Sequence, residues 1–213
     1  MIHEMPAVGA TAGVALAGLV LSNFLCDRGV PNSVTRCVAA ALGGAAFLLA
    51  VLWLEAATAI ALSASMTLFI LALHLGFGRS LRGTKGSLPS QAWAEVTYAL
   101  AGTVSLAVGW GLLGDRWLAL VPVAFMAWGD NAAGLTRATF RHDNASDLWP
   151  SLAMLVVCLA AAALFWSYWI AAMGAAVAVT AERFRPRVTD VWDDNLHVVA
   201  MSLSVMAVLV RVT

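Results

Sequence analysis

The sequence predicts an all-α integral membrane protein with about eight transmembrane helices. Of its 213 residues, 62% are hydrophobic and only 11% are charged. The apolar residues form runs close to the roughly 20 residues that an α-helix needs to cross a bilayer. The 12 basic and 12 acidic residues balance, so charge gives no indication of a nucleic-acid partner and none is expected.

Eight apolar segments divide the chain. We expect helices at about 7–25, 34–54, 57–77, 94–113, 117–135, 150–168, 170–184 and 196–211. No basic region precedes the first segment and no polar domain follows it, so it is expected to be a retained span. Short connections near Glu55 and Trp169 make hairpins of the second and third segments and of the sixth and seventh. Residues 1–213 are therefore expected to form a single polytopic domain.

The distribution of Lys and Arg predicts the orientation of these segments. Ten of the 12 basic residues lie in the first, third, fifth and seventh connections. The positive-inside rule makes those connections cytoplasmic and puts both termini on the non-cytoplasmic side of a cell membrane. Most of the nine tryptophans lie near predicted span ends, which is typical of an interfacial belt. The three cysteines have no metal-like spacing and are expected to pack as small apolar side chains.

Acidic residues recur at helix ends on the predicted cytoplasmic side. Asp130 ends an apolar run in Trp128-Gly129-Asp130, Glu182 ends the seventh segment, and Asp194 with Asn195 opens the eighth. An acid at membrane depth is costly and is by default a candidate functional residue. Glu95 opens the fourth segment on the same side.

Carboxylates and an amide from separate helices, near several arginines, suit a divalent cation that holds a polyphosphate. Mg²⁺ typically binds one or two carboxylates and takes its other ligands from phosphates and water, so Asp130 with Asp194 would suffice. The arginines would neutralise the remaining phosphate charge. The alternative is a solvated rim of helix-end ion pairs, which we favour for five residues: Asp143, Asp147, Arg185, Arg187 and Asp190. His74, in an apolar span, is expected to be packed and hydrogen-bonded, whereas His197 could approach a phosphate.

Four motifs together resemble the dolichol kinase and phytol kinase family, which is related to the phosphatidate cytidylyltransferases. They are Gly129-Asp130-x-x-Ala133, Ser151-Leu152-Ala153-Met154, Thr180-Ala181-Glu182 and Asp193-Asp194-Asn195-Leu196. Ala94-Glu95-Val96-Thr97-Tyr98 is similar to a glutamate-containing segment of the same family. The resemblance covers about residues 78–205, and its most specific element is Asp-Asn-Leu after a glutamate-ended helix.

The resemblance implies a kinase that transfers a phosphoryl group from CTP, or another nucleoside triphosphate, to an isoprenoid alcohol at the cytoplasmic face. Its implied residues are Asp130, Asp194 and Glu182 at Mg²⁺, with Asp130 and Glu182 also catalytic, and Asn195 as an orienting hydrogen-bond partner that binds the nucleotide phosphates. The phosphates would be bound by a set of basic residues, with Arg137 also catalytic: Lys85, Arg137, Arg141 and Arg183.

The chain departs from the family pattern before the sixth segment. Where the family usually has Lys-Ser-x-Glu-Gly-Ser, this chain reads Ser146-Asp147-Leu148-Trp149-Pro150-Ser151. A lost phosphate-binding lysine removes charge that a phosphoryl transition state needs, so Arg137 or Arg141 must replace it, or the substrate differs, or the site is weakened. The alternatives are a cytidylyltransferase that makes a CDP-lipid, and a non-catalytic binding or transport protein. Formation of a homo-oligomer is left open.

Overall fold

The computed structural model describes residues 2–76, 81–84, 93–140, 148–163, 167–184 and 194–213, and all regular structure within these ranges is helical. A 3₁₀ turn, Ile2–Glu4, leads into the first helix. The helices are α1 (Met5–Asp27), α2 (Asn32–Trp53), α3 (Ala56–Gly76), α4 (Ala94–Ser105), α5 (Arg116–Ala124), α6 (Asn131–Thr139), α7 (Leu148–Ala163), α8 (Tyr168–Arg183) and α9 (Asp194–Val212).

Two π-helical segments join some of these helices into longer rods. Leu106–Leu112 extends α4, and Phe125–Asp130 connects α5 to α6. The second junction makes one continuous rod from Arg116 to Thr139, which we call the central rod. The described chain thus contains eight rods, one for each apolar segment predicted from the sequence.

Five of these rods are long and apolar enough to cross a bilayer: Met5–Asp27, Asn32–Trp53, Ala56–Gly76, Arg116–Thr139 and Asp194–Val212. Leu148–Ala163 is a shorter apolar helix. The all-α class and the apolar helices expected of a membrane protein are therefore confirmed. The count of eight spans and the side on which the termini lie stay predictions.

The outer surface of the bundle is apolar, as lipid contact requires. Only 6% of the apolar window of α3 is buried inside the protein, against 67% for the central rod. Leu68 and Leu75 of α3 are 65% and 70% exposed. Water would make such a surface a site of aggregation, whereas lipid tails solvate it.

Small residues let the rods approach closely in the interior. A Cβ added at Gly44 in α2 would lie 2.6 Å from the Cβ of Ala127 in the central rod. One added at Gly174 in α8 would lie 2.6 Å from Sδ of Met206 in α9. In a bilayer, where apolar side chains gain little from leaving lipid, such close packing is a main source of helix association.

Three local features end the rod that contains α4 and begin the central rod. The π-helical segment ends at Leu112, and Gly114 has φ +74°, which favours glycine. Asp115 then caps α5, since its carboxylate accepts from the backbone N–H of Trp117 at 2.8 Å and of Leu118 at 3.1 Å.

The first and third connections, both predicted to be cytoplasmic, meet at one end of the bundle, which we call the basic end. The side chain of Asn23 accepts from the N–H of Gly83 at 2.8 Å, and Thr35 donates to the carbonyl of Gly83 at 2.7 Å. At the opposite end, the carboxylate of Glu4 accepts from the N–H of Glu55 at 2.8 Å. The described basic residues of the basic end are Arg28, Arg36, Arg82, Arg137 and Arg183, whereas Arg116 and Arg211 lie at the other end.

Candidate functional site

A cavity of about 130 Å³ lies between α1, α2, α3, α4, the central rod and α9. Most of its wall is apolar and includes Leu19, Phe47 and Ile70. Towards the basic end its lining becomes polar, with Arg36, Thr84, Glu95, Asp130, Asn131 and Asn195. The cavity therefore has the two-part character that an amphiphilic ligand requires.

The first turns of α2 hold one side of the polar lining together. Tyr98 of α4 donates its hydroxyl to the carbonyl of Ala40 at 2.7 Å, and the indole N–H of Trp128 donates to Ala41 at 3.4 Å. The thiol of Cys37 lies 3.8 Å from the carbonyl of Asn131. These contacts bring Arg36 of α2 to the cavity that Asp130 also lines.

Asp130 is the last residue of the π-helical segment in the central rod. A Cβ at the preceding Gly129 would overlap Sγ of Cys158 in α7, so only glycine allows this close approach. The amide of Asn131 donates back to the carbonyl of Ala127. π-Helical turns of this kind are often found at functional sites, where they reorient the next side chains.

Glu95 enters the cavity from the first turn of α4 and is 6% exposed. Its Oε1 lies 2.8 Å from Nδ1 of His74 in α3. The imidazole in turn packs on the ring of Trp93, with centroids 4.3 Å apart. The packed, hydrogen-bonded His74 expected from the sequence is confirmed. The cavity lining adds a role for Glu95 that its place in the sequence did not indicate.

Asn195 is the buried residue of the Asp-Asn-Leu motif. It is 7% exposed, and its amide donates to the carbonyl of Ala94 at 3.2 Å, which ties the start of α9 to the start of α4. Asp194 precedes it, half-buried, and accepts from the N–H of Asn195 at 3.2 Å. Asn195 lines the cavity and Asp194 does not.

Glu182 and Arg137 form an ion pair outside the cavity lining. The side chain of Glu182 is 2% exposed and that of Arg137 is 41% exposed. Arg183, at the end of α8, is exposed. The structure thus brings Asp130 and Asn195 to one cavity and joins Glu182 to Arg137 in a separate contact.

The remaining predicted site residues, Lys85 and Arg141, lie outside the described residues. So does every residue assigned to the solvated rim: Asp143, Asp147, Arg185, Arg187 and Asp190. Sequence reasoning missed two cavity residues, Arg36 and Asn131. Asn131 follows Asp130 directly and could have been included on that ground, whereas nothing in the sequence separates Arg36 from the other basic residues of that end.

Mg²⁺ binds oxygen ligands, and the polar lining contains carboxylate and amide side chains. In the described part of the chain, no group of three or more His, Cys, Asp or Glu side chains could hold a metal ion. Asp130, Asn131 and Asn195, one carboxylate and two amide side chains, nevertheless line one cavity. This donor set fits an ion that takes its other ligands from a polyphosphate and water.

The motifs remain the basis of the family resemblance. No family model, curated protein or solved structure matches the chain. The likeness to the dolichol and phytol kinases therefore rests on the quoted motifs, of which Asp130 and Asn195 line the cavity and Glu182 does not.

Proposed function

We propose that this protein is a membrane kinase that phosphorylates an isoprenoid alcohol such as phytol or dolichol, with CTP or another nucleoside triphosphate as donor. One observation carries the proposal. A cavity with largely apolar walls contains Asp130, Asn195 and Arg36 at its polar end. An isoprenoid alcohol has a long apolar tail and a single hydroxyl, and its phosphorylation requires both kinds of environment in one site.

The apolar lining of the cavity extends along the rods, which is the direction in which a lipid tail would lie. The lining follows α2 from Arg36 to Ala50, and Ala59 of α3 lies at the same far part. At 1.5 Å per residue, the distance along α2 is roughly 20 Å. A tail of that length would lie along the rods while its hydroxyl stays at the basic end.

In the proposed reaction, the alcohol oxygen forms a bond to the γ-phosphorus while the bond to the bridging oxygen breaks. The nucleoside diphosphate leaves with that electron pair, and the hydroxyl proton passes to a carboxylate at the polar end. Bound Mg²⁺ supplies charge neutralisation at the phosphates, and Asp130 with an amide oxygen of Asn131 or Asn195 would hold it. Arg36 would contribute a fixed positive charge at the same end.

The predicted site residues outside the cavity would bind the nucleotide phosphates or hold the residues that do. Arg137 and Arg183 are exposed at the basic end and provide cations for a polyphosphate that enters from that side. Glu182 holds Arg137 through their ion pair. Asp194 is the second carboxylate beside Asn195. Phosphoryl transfer depends on such positioning and charge more than on covalent chemistry by the protein.

Labelled nucleotide tests the proposal. Purified protein with Mg²⁺, phytol or dolichol, and CTP labelled at the γ-phosphate should yield a labelled lipid monophosphate. Label that enters lipid only from the α-phosphate of CTP, with a lipid phosphate as acceptor, would identify a cytidylyltransferase. Absence of transfer to every acceptor would reject both enzymes.

We expect Asp130→Asn to lower turnover by a factor on the order of 10² or more, because it removes the charge that holds the metal but keeps the size of the side chain. Asp27→Asn is the matched control, since Asp27 is an exposed acid of the basic end, 3.5 Å from Arg82 and outside the cavity. It should turn over like wild type. Thermal unfolding would verify that both variants fold, and wild-type turnover of Asp130→Asn at limiting Mg²⁺ would contradict the proposal.

A further inference from the structure

The cavity contains a carboxylate oxygen that no described group satisfies. Among buried side-chain nitrogen and oxygen atoms of the described residues, two lack a hydrogen-bond partner: Oγ1 of Thr11 and Oε2 of Glu95. Both residues line the cavity. Buried polar groups are nearly always hydrogen-bonded, so their coincidence in one cavity indicates that a ligand supplies a partner there.

The two atoms differ in what they require. A threonine in a helix can rotate its hydroxyl onto the carbonyl four residues earlier, so Thr11 can satisfy itself without a ligand. Glu95 cannot, because its Oε1 is held by Nδ1 of His74 at 2.8 Å and the imidazole is packed on Trp93. Oε2 of Glu95 is therefore a fixed acceptor in the polar part of the cavity lining, beside the apolar wall.

We propose that Oε2 of Glu95 accepts a hydrogen bond from the hydroxyl of a long-chain lipid alcohol, and that His74 is the positioning residue that holds it there. This inference deepens the proposed function and rests on it for the class of substrate. An ionised carboxylate only accepts hydrogen bonds, so the matching head group is a donor. The hydroxyl of an isoprenoid alcohol is such a donor and leaves its apolar tail against the cavity wall.

The same carboxylate also predicts which lipid the cavity rejects. A lipid phosphate at neutral pH is mostly a dianion without a proton to donate. Its charge has the same sign as those of Glu95 and Asp130, which outnumber the single arginine, Arg36, among the described lining residues. The cavity should therefore bind the alcohol in preference to its monophosphate. In a kinase this preference favours release of the product, whereas a cytidylyltransferase would need the opposite preference.

Binding without nucleotide tests this site separately from turnover. The probes are tritiated phytol, its methyl ether, which cannot donate, and its monophosphate, each bound to the full chain in lipid nanodiscs. Wild type should bind phytol about tenfold or more tightly than the ether or the phosphate, because a site built for a hydroxyl rejects analogues that leave its acceptor unpaired. Equal affinity for phytol and the ether would overturn the inference.

Variants of Glu95 separate hydrogen bonding from the bulk of the ether methyl group. Glu95→Leu should bring the two affinities to within about twofold. Glu95→Gln, which keeps a neutral acceptor and is the gentler change, should retain part of the preference. Ser63→Ala is the matched control, because Ser63 lines the same cavity but its hydroxyl is already bonded to Thr103 at 2.7 Å. It should leave the ratio unchanged, and an unchanged ratio in Glu95→Leu would refute the site.

Variants of His74 test its positioning role. His74→Phe should lower the affinity for phytol without changing that for the ether, and His74→Gln, which restores a donor, should recover part of the loss. The two proposals can fail separately. An alcohol preference that depends on Glu95, in a protein with no phosphoryl transfer, would reject the kinase and keep the site. Turnover of phytol by a protein that binds phytol and the ether equally would keep the kinase and reject the site.

Discussion

Glu95 and Glu182 are two buried glutamates with different surroundings. Each side chain is 2% exposed, each lies near a helix terminus at the basic end, and each is bonded to a basic residue of another rod. Glu95 contacts His74 and lines the cavity, whereas Glu182 contacts Arg137 and does not. Judged from the sequence alone, Glu182 was the stronger candidate for a functional residue.

The partner accounts for the difference. An arginine brings five N–H donors and a permanent charge, whereas Nδ1 of an imidazole contributes one donor to the carboxylate. The carboxylate of Glu182 is compensated within the protein, while one oxygen of Glu95 is left for a ligand. A buried acid thus indicates function when its pairing is incomplete and it faces a cavity, and burial alone does not distinguish the two roles.

The largest expected effect is the difference in thiol labelling between the two ends of the bundle, since both glutamates lie at the basic end. With Cys26 and Cys37 replaced by alanine, a cysteine at Arg82 should be protected from an impermeant thiol reagent in intact cells, and one at Arg116 should react almost completely. Arg82 suits this test because its side chain is 61% exposed, so a reagent on the same side of the membrane would reach a cysteine there. The reverse labelling pattern would put the basic end outside and remove both glutamates from cytoplasmic nucleotide.

Breaking the second pair should give an intermediate effect on stability. Arg137→Ala removes the arginine that is paired with the buried carboxylate of Glu182, so we expect a loss of about 3 kcal/mol in the free energy of unfolding. The double variant Arg137→Leu with Glu182→Leu should recover most of that loss. Arg183→Ala, at an exposed neighbouring position, should change stability by less than about 0.5 kcal/mol. Reversible unfolding in detergent measures all three.

The catalytic role predicted for Arg137 from the sequence has a distinct signature. If Arg137 also faces the phosphates, kcat should remain about 10²-fold low in the double variant after its stability is recovered. An unfolding free energy unchanged in Arg137→Ala would contradict a stabilising role for this ion pair.

The exposed carboxylate at the opposite end should give the smallest effect. Hydrogen bonds from the N–H of Glu55 and then from the hydroxyl of Thr58 lower the pKa of Glu4 from its ordinary value of 4.5. Because the folded pKa is the lower one, the stability from Glu4 is present above pH 4.5 and is lost as pH falls through the lowered value. Wild type and Glu4→Gln should therefore differ slightly in Tm at pH 7 and converge at acidic pH. A difference that grows with acid would contradict this linkage, and Glu55→Gln is the control.

The sequence predicted the helices correctly because they depend on local features. Apolar runs of spanning length and the turn residues between them set the rods, and all eight appear at the expected positions in the described chain. The clustering of basic residues in alternate connections predicts that these connections share one end of the bundle, and the contacts of Gly83 with Asn23 and Thr35 join the first and third of them. Asp130 could be identified because an acid within an apolar helix is conspicuous without any tertiary information.

Only the tertiary structure decided which polar groups meet. His74 and Glu95 are 21 residues apart, Arg137 and Glu182 are 45 apart, and Asn195 and Ala94 are 101 apart. No local pattern relates such positions. Hydropathy does not distinguish a lipid-facing rod from a buried rod, because both are apolar. The sequences of α3 and the central rod are accordingly both apolar enough to cross a bilayer, although 6% of one apolar window is buried and 67% of the other. The cavity depends on which faces pack together, and that choice is made by close contacts between side chains of distant rods.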